Sequence, residues 1–194
     1  MMKTMITTLF IISSLVLMAQ EKNAVYWHSK GKEAYYKKNL AEASKDFAKA
    51  IEMNLKYDSA YFHRGVVEYD KKLYKEAADD YNKALSLNPK YADAYANLGL
   101  IDHENKKFEA AIEHYDKAIE LKPKDADYYH YKGLALYNLK NYQDACDNYT
   151  KSIKLAPMIS DVYSDRAFSY IGLKQIEKAD ADLKKWKQLK KLNK

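Results

Sequence analysis

Four histidines, His28, His63, His103 and His130, are the side chains of this chain best suited to chemistry. Neutral imidazole binds several transition metals and exchanges protons near pH 7. Their spacing argues against a metal centre, because no two stand four apart on one helix, where both could reach one ion. Solvated or peptide-contacting histidines fit better, so neither a metal nor a cofactor is expected. Other reactive patterns are missing: the sequence has no G-x-S-x-G, no HExxH and no CxxC. Its many carboxylates have lysines three or four residues away, the pattern of a solvated helix face. Asn148-Tyr149-Thr150 fits the glycosylation triplet but falls within a helical pattern, which marks a chance match. Cys146 has no second cysteine to pair with and reads as a small buried hydrophobe. No catalytic residue is assigned, and the expectation is a protein that is not an enzyme.

The elements carrying these residues repeat every 34 positions. Gly31, Gly65, Gly99 and Gly133 form one column, continued by Ala167. Ala43, Ala77, Ala111, Ala145 and Ala179 form a second, and Pro89, Pro123 and Pro157 a third. Five units follow: 24–57, 58–91, 92–125, 126–159 and 160–193. Each unit holds two apolar-periodic segments and a closing proline, which cannot continue a helix. Glycine inside the first helix costs about 1 kcal/mol against alanine, so close approach to the alanine twelve residues on must offset it. Gly172 stands outside this scheme. Large residues fill the space around that contact: Trp27, Tyr61, Tyr95, Tyr129 and Tyr163 in one column, and Phe47, Tyr81, Tyr115, Tyr149 and Leu183 in another. Leu40, Tyr74, Phe108, Tyr142 and Ile176 open the second helices. A fixed period of this length signals a solenoid whose units pack on their neighbours.

Tyr61, Gly65, Tyr74, Ala77, Tyr81, Ala84 and Pro89 show the pattern in its fullest form. At these spacings the chain resembles the tetratricopeptide repeat family over residues 24–193. The resemblance implies an all-α fold, a right-handed α-solenoid of five helix–turn–helix repeats. Leu55, Ala167, Trp186 and Lys191 depart from the pattern in the terminal repeats, which have a neighbour on one side only. The family's ligands lie against the first helices. Carried over by position, that groove comprises His28, Lys32, Tyr35, Phe62, His63, Val66, Tyr69, Asn97, Leu100, His103, His130, Tyr131, Leu134, Tyr137 and Phe168. Val25, Asp161, Ser164 and Asp165 fall on the same face. Phe62, Tyr69, Leu100, Tyr131, Leu134 and Tyr137 are expected to supply most contact, with His63, His103 and His130 as polar handles, since their columns are not those of the Gly–Ala and aromatic packing. The lysine–asparagine–arginine carboxylate clamp of some members is not reproduced: its places in the first three repeats hold His28, Lys32, His63, Asp93 and Asn97, and Asn97 stands in the wrong repeat.

Residues 1–19 stand outside the repeat. Lys3, the apolar run from Met5 to Met18 and then Ala19 read as a secretory signal peptide, followed by a short leader over 20–23. Leu17 is larger than such a cleavage site prefers, and an uncleaved membrane anchor is the alternative. The apolar run is shorter than the ~20 residues of a comfortable span. Export to the periplasm or outside the cell is the expectation. The formal charge is +6, and from Lys174 to Lys194 eight lysines face three acids. Charge so confined argues against nucleic acid as a partner. Trp186, where other repeats have a small residue, reads as a cap on the open end of the core. Lys184, Lys185, Lys187, Lys190 and Lys191, within 184–194, could touch anionic lipid or an acidic partner. The leading expectation is an exported scaffold that binds a peptide or protein segment in its groove. The alternative is a structural subunit of an envelope or membrane-associated complex, joined through repeat stacking and the basic end.

Overall fold

Lysine occupies a left-handed backbone position five times: Lys38, Lys72, Lys106, Lys140 and Lys174 have φ between 59 and 63°. Each ends the first helix of a pair. In the first, the Lys38 amide donates to the Tyr35 carbonyl at 2.8 Å and the Asn39 amide to the Ala34 carbonyl at 2.9 Å. These bonds satisfy carbonyls that the helix end leaves open, and the reversed residue turns the chain into the second helix. The same pair of bonds recurs at Lys72, Lys106, Lys140 and Lys174. This 34-residue lysine column escapes a reading based on glycine and proline, because a C-terminal reversal is ordinarily sought at glycine.

The computed structural model describes Ala19 and residues 23–192. The expected signal peptide and Lys194 thus lie outside the described residues, apart from Ala19. Helix α1 covers residues 23–36. It is followed by α2 (Leu40–Met53), α3 (Asp58–Asp70), α4 (Tyr74–Leu87), α5 (Ala92–Glu104), α6 (Phe108–Leu121), α7 (Ala126–Asn138), α8 (Tyr142–Leu155), α9 (Ser160–Gly172) and α10 (Ile176–Leu192). Among the described residues there is no strand. The fold is the all-α solenoid class of paired helices. Its helices group into two compact units, one ending at Pro89 and one beginning at Lys90.

Within each unit the core is a stack of second-helix rings under first-helix glycines. Phe47, Tyr81, Tyr115 and Tyr149 are fully buried, with Ala43, Ala77, Ala111 and Ala145 beside them. Burying each ring stabilises by about 2 kcal/mol. The structure corrects the expected glycine contact. A Cβ at Gly133 would lie 2.5 Å from the Tyr149 ring, and one at Gly65 2.7 Å from the Tyr81 ring and 3.2 Å from the Ala77 carbonyl. The glycine chiefly admits the aromatic ring sixteen residues on, more than the alanine. Gly172 also belongs to the packing, since a Cβ there would meet Tyr142 at 2.7 Å.

One arginine fork braces each unit. Arg64 on α3 grips Asp80 on α4 at 2.7 and 2.6 Å, and Arg166 on α9 grips Asp182 on α10 at 2.7 and 2.8 Å. Both aspartates are buried, so these bidentate pairs sit where solvent screens them little. At the outer rings, the Lys49 ammonium lies 3.6 Å from the centre of Trp27. Tyr129 and Tyr163 donate to the carbonyls of Pro123 and Pro157, tying these rings to the turns before them. Helix α10 is 17 residues long against 14 for α8, and its extra turn folds back on α9. There Lys190 pairs with Asp161 at 2.8 Å, Trp186 also bonds Asp161, and Leu189 is buried.

Candidate functional site

The first helices of successive repeats are joined by a seam of side-chain bonds whose partners stand 35 residues apart. In the unit ending at Pro89, His28 Nε2 lies 3.2 Å from His63 Nδ1, and the Tyr35 hydroxyl donates to Asp70 at 2.8 Å. In the other unit Tyr128 donates to Asp93, Asn138 donates to His103 Nε2 at 3.1 Å, and His130 Nε2 donates to Asp165 at 2.6 Å. One residue beyond the 34-residue period is one step around the helix. Each bond therefore runs from one edge of a first-helix face to the facing edge of the next. Between the seams run stripes at helical spacing of i, i+4, i+7 and i+11.

In the first unit the stripes are Val25, Ser29, Lys32 and Tyr36 on α1, and Ser59, His63, Val66 and Asp70 on α3. In the second they are Asp93, Asn97, Leu100 and Glu104 on α5, then Asp127, Tyr131, Leu134 and Asn138 on α7, and Asp161, Asp165, Phe168 and Gly172 on α9. Lys32, Val66, Asn97, Leu100 and Leu134 are half-buried and Phe168 is 51% exposed. The sequence reading missed Asp127, Glu104 and Asn138 as members of these stripes. The 34-residue spacing of Asp93, Asp127 and Asp161 carried the signal.

The aromatic members are less free than their columns suggest. Phe62 lies 5.8 Å from the Tyr81 ring, and Tyr131 5.9 Å from the Tyr115 ring. Leu100 and Tyr131 pack on the Ala111–Tyr115–Ala135 cluster, and Leu134 and Tyr137 on that of Tyr149. Tyr69 and Tyr137 meet Tyr74 and Tyr142, which open the second helices, at 5.4 and 5.5 Å. The expectation that these columns lie outside the packing is thereby corrected. The rings admitted beneath the glycines are long enough to touch the floor of the face.

The histidines also have partners. The Ser59 carbonyl can only accept, so His63 carries its proton on Nδ1, 2.7 Å away. The Tyr57 hydroxyl lies 3.2 Å from His28 Nδ1, and Phe47 stacks on His63 at 5.6 Å. Burial, the neighbouring His63 and the Lys32 ammonium push His28 down to about 4. Burial likewise lowers His63 and His103. Among the described residues no group of three or more His, Cys, Asp and Glu is placed to hold a metal ion. Cys146 is buried and, chiefly by that burial, pushed up to about 11, so it is a poor nucleophile near neutral pH. Among the described residues no helix is long and apolar enough to cross a membrane.

Models of the tetratricopeptide repeat match residues 28–92, 80–113 and 126–158, and a TPR repeat model matches residues 99–140. Together they run without a gap from residue 28 to residue 158. No curated protein sequence matches the chain significantly. Several solved structures are similar. MamA from Desulfovibrio magneticus RS-1 has a TM-score of 0.78 at 16% identity, covering 87% of this chain and 96% of its own. Pseudomonas aeruginosa pilF has a TM-score of 0.80 at 21% identity, covering 88% and 78%. YrrB, described as a TPR protein with an unusual peptide-binding site, has a TM-score of 0.70 at 24% identity, covering 90% and 91%. At these identities the likeness bears on the fold alone. With its columns, helix pairs and repeat matches in agreement, the chain belongs to the tetratricopeptide repeat family and has the build of a protein-interaction scaffold.

Proposed function

We propose that this chain is a non-enzymatic scaffold that holds a segment of another protein on the stripes of its first helices. The observation that carries this reading is the middle of the face in the second unit. Leu100, Leu134 and Phe168 follow one another along α5, α7 and α9, half-buried to exposed. Apolar surface left open on the face where successive helices meet marks an interaction site. The rings under it are fixed by packing, so the face is preformed and a partner loses little protein entropy on docking. The reading includes export, supported by Lys3, the Met5–Met18 run and Ala19 in the sequence. Intact mass of the native protein tests it: a chain beginning near Gln20 is expected, and one still carrying Met1 to Ala19 contradicts cleavage.

Docking is tested by placing charge in the middle of the face. Phe168→Glu is expected to abolish co-purification of the native partner with an unchanged melting midpoint. Met158, similarly exposed but in the turn before α9, is the control site. Capture that survives Phe168→Glu, or that Met158→Glu removes equally, would contradict the reading.

A further inference from the structure

The stripes of the second unit carry five acids, Asp93, Glu104, Asp127, Asp161 and Asp165, and no lysine or arginine. Two of the acids are neutralised from outside the stripes: Lys122 pairs with Asp93 at 2.8 Å and Lys190 with Asp161 at 2.8 Å. Both lysines stand 29 residues after their aspartates. The corresponding position for Asp127 is Ala156, which has no charge to offer. Asp127 is exposed, and its carboxylate has no ion pair or hydrogen bond among the described residues. Asp165 is held by His130 on the neighbouring helix. Beneath this part of the face the Tyr149 hydroxyl is buried without a hydrogen-bond partner, 5.8 Å separating its ring from that of His130. Of the charged groups around it, Asp165 acts on it most strongly. A donor reaching this hydroxyl at the α7–α9 seam would supply the hydrogen bond it lacks.

Resting on the docking reading above, we infer that the face formed by α5, α7 and α9 selects a partner segment carrying lysine or arginine among apolar residues. The apolar middle column takes up the stems and apolar side chains of the segment. The acids flanking it receive the cationic heads, which are stabilised by charge pairing and by the adjoining Tyr131 and Phe168 rings. Charge complementarity sets the occupant, because an acidic segment would bring like charges together at Glu104 and Asp127.

The test uses the full chain labelled with nitrogen-15 and three synthetic twelve-residue peptides. These share leucine, phenylalanine and serine positions and differ only in four positions, occupied by Lys, Gln or Glu. The lysine peptide is expected to shift the amides of α5, α7 and α9, to bind about tenfold more tightly than the glutamine peptide, and to weaken with added salt. The glutamate peptide is expected to leave those amides unmoved. Asp127→Lys is expected to remove the advantage of the lysine peptide without altering the fold, since Asp127 is exposed and unpaired. Equal binding of all three peptides to these amides, or an unchanged lysine preference in Asp127→Lys, overturns the charge inference and leaves docking standing. Shifts confined to residues outside α5, α7 and α9 overturn it as well. Silence with every peptide overturns the docking reading and the inference with it.

Discussion

The two units share their packing columns and differ in what they present between them. In the first unit the stripes carry Lys32 against Asp70, with the neutral His28–His63 pair at the seam. In the second, five acids surround Leu100, Leu134 and Phe168, with no lysine or arginine among them. The glycine, alanine and ring columns are fixed because each ring must pass beneath a residue without a side chain. Stripe residues touch solvent on one side, so their charge can change from repeat to repeat at little cost in stability. A repeat protein therefore separates what holds it together from what it offers a partner.

The largest expected effect comes from the forks that the units have in common. Asp182→Ala leaves the Arg166 guanidinium without its carboxylate and should destabilise the second unit by about 2–3 kcal/mol. Asp80→Ala should do the same to the first through Arg64. Trp27 and Trp186 lie one in each unit, so urea midpoints read from single-tryptophan chains separate the two losses. Equal loss in both units from one substitution would show that they do not unfold separately. Next is Gly133→Ala, whose new methyl would overlap the Tyr149 ring by more than helix propensity returns. A net loss of about 1–2 kcal/mol is expected by thermal melting. An increase in stability would show that the ring moves aside freely.

The units should also answer acid differently. The free imidazole of His28 would titrate near 6.5, whereas in the folded chain it titrates at about 4. Between these values the unfolded chain binds a proton that the folded one does not. The stability of the first unit therefore falls as pH drops from about 6.5 to about 4 and is level above that window. Lys32 is the charged group facing the pair. The melting midpoint reported by Trp27 should fall through this window, and His28→Gln should remove most of the slope. A slope unchanged in His28→Gln would place its origin elsewhere.

The smallest effect concerns the buried hydroxyls. Tyr81 and Tyr149 each bury one without a partner, where the first repeat has Phe47. Tyr149→Phe should be neutral or stabilising by up to about 1 kcal/mol in chemical denaturation. A clear loss would reveal a bonded water or side chain at that oxygen.

The repeat, its helix pairs and the ring columns were legible in the sequence because period and residue size decide them. Pro89, Pro123 and Pro157 marked the ends of three units, and the glycine column marked places where a side chain has no room. What each glycine faced was not legible: its partner, sixteen residues on, is set by the length of the ring that enters and not by nearness along the helix. The left-handed lysines were hidden because lysine ordinarily avoids that conformation, and only the Schellman-type bonds around them hold it there. In the candidate site, Leu100, Leu134 and Phe168, named by position alone, are half-buried to exposed on their first helices. Tyr131 and Phe62 were read as freer than they are, since the rings below them belong to another helix. Asp127 became visible only when its missing lysine could be compared with Lys122 and Lys190.

The central claim is that the second unit's first-helix face holds a cationic protein segment. Its most direct test replaces Phe168 with a photo-crosslinking phenylalanine in the native host and sequences the peptide joined to it. The account predicts a single partner segment with a net positive charge, and no crosslink from the same group at Met158. An acidic segment joined at Phe168, or crosslinks at Met158 alone, would contradict it.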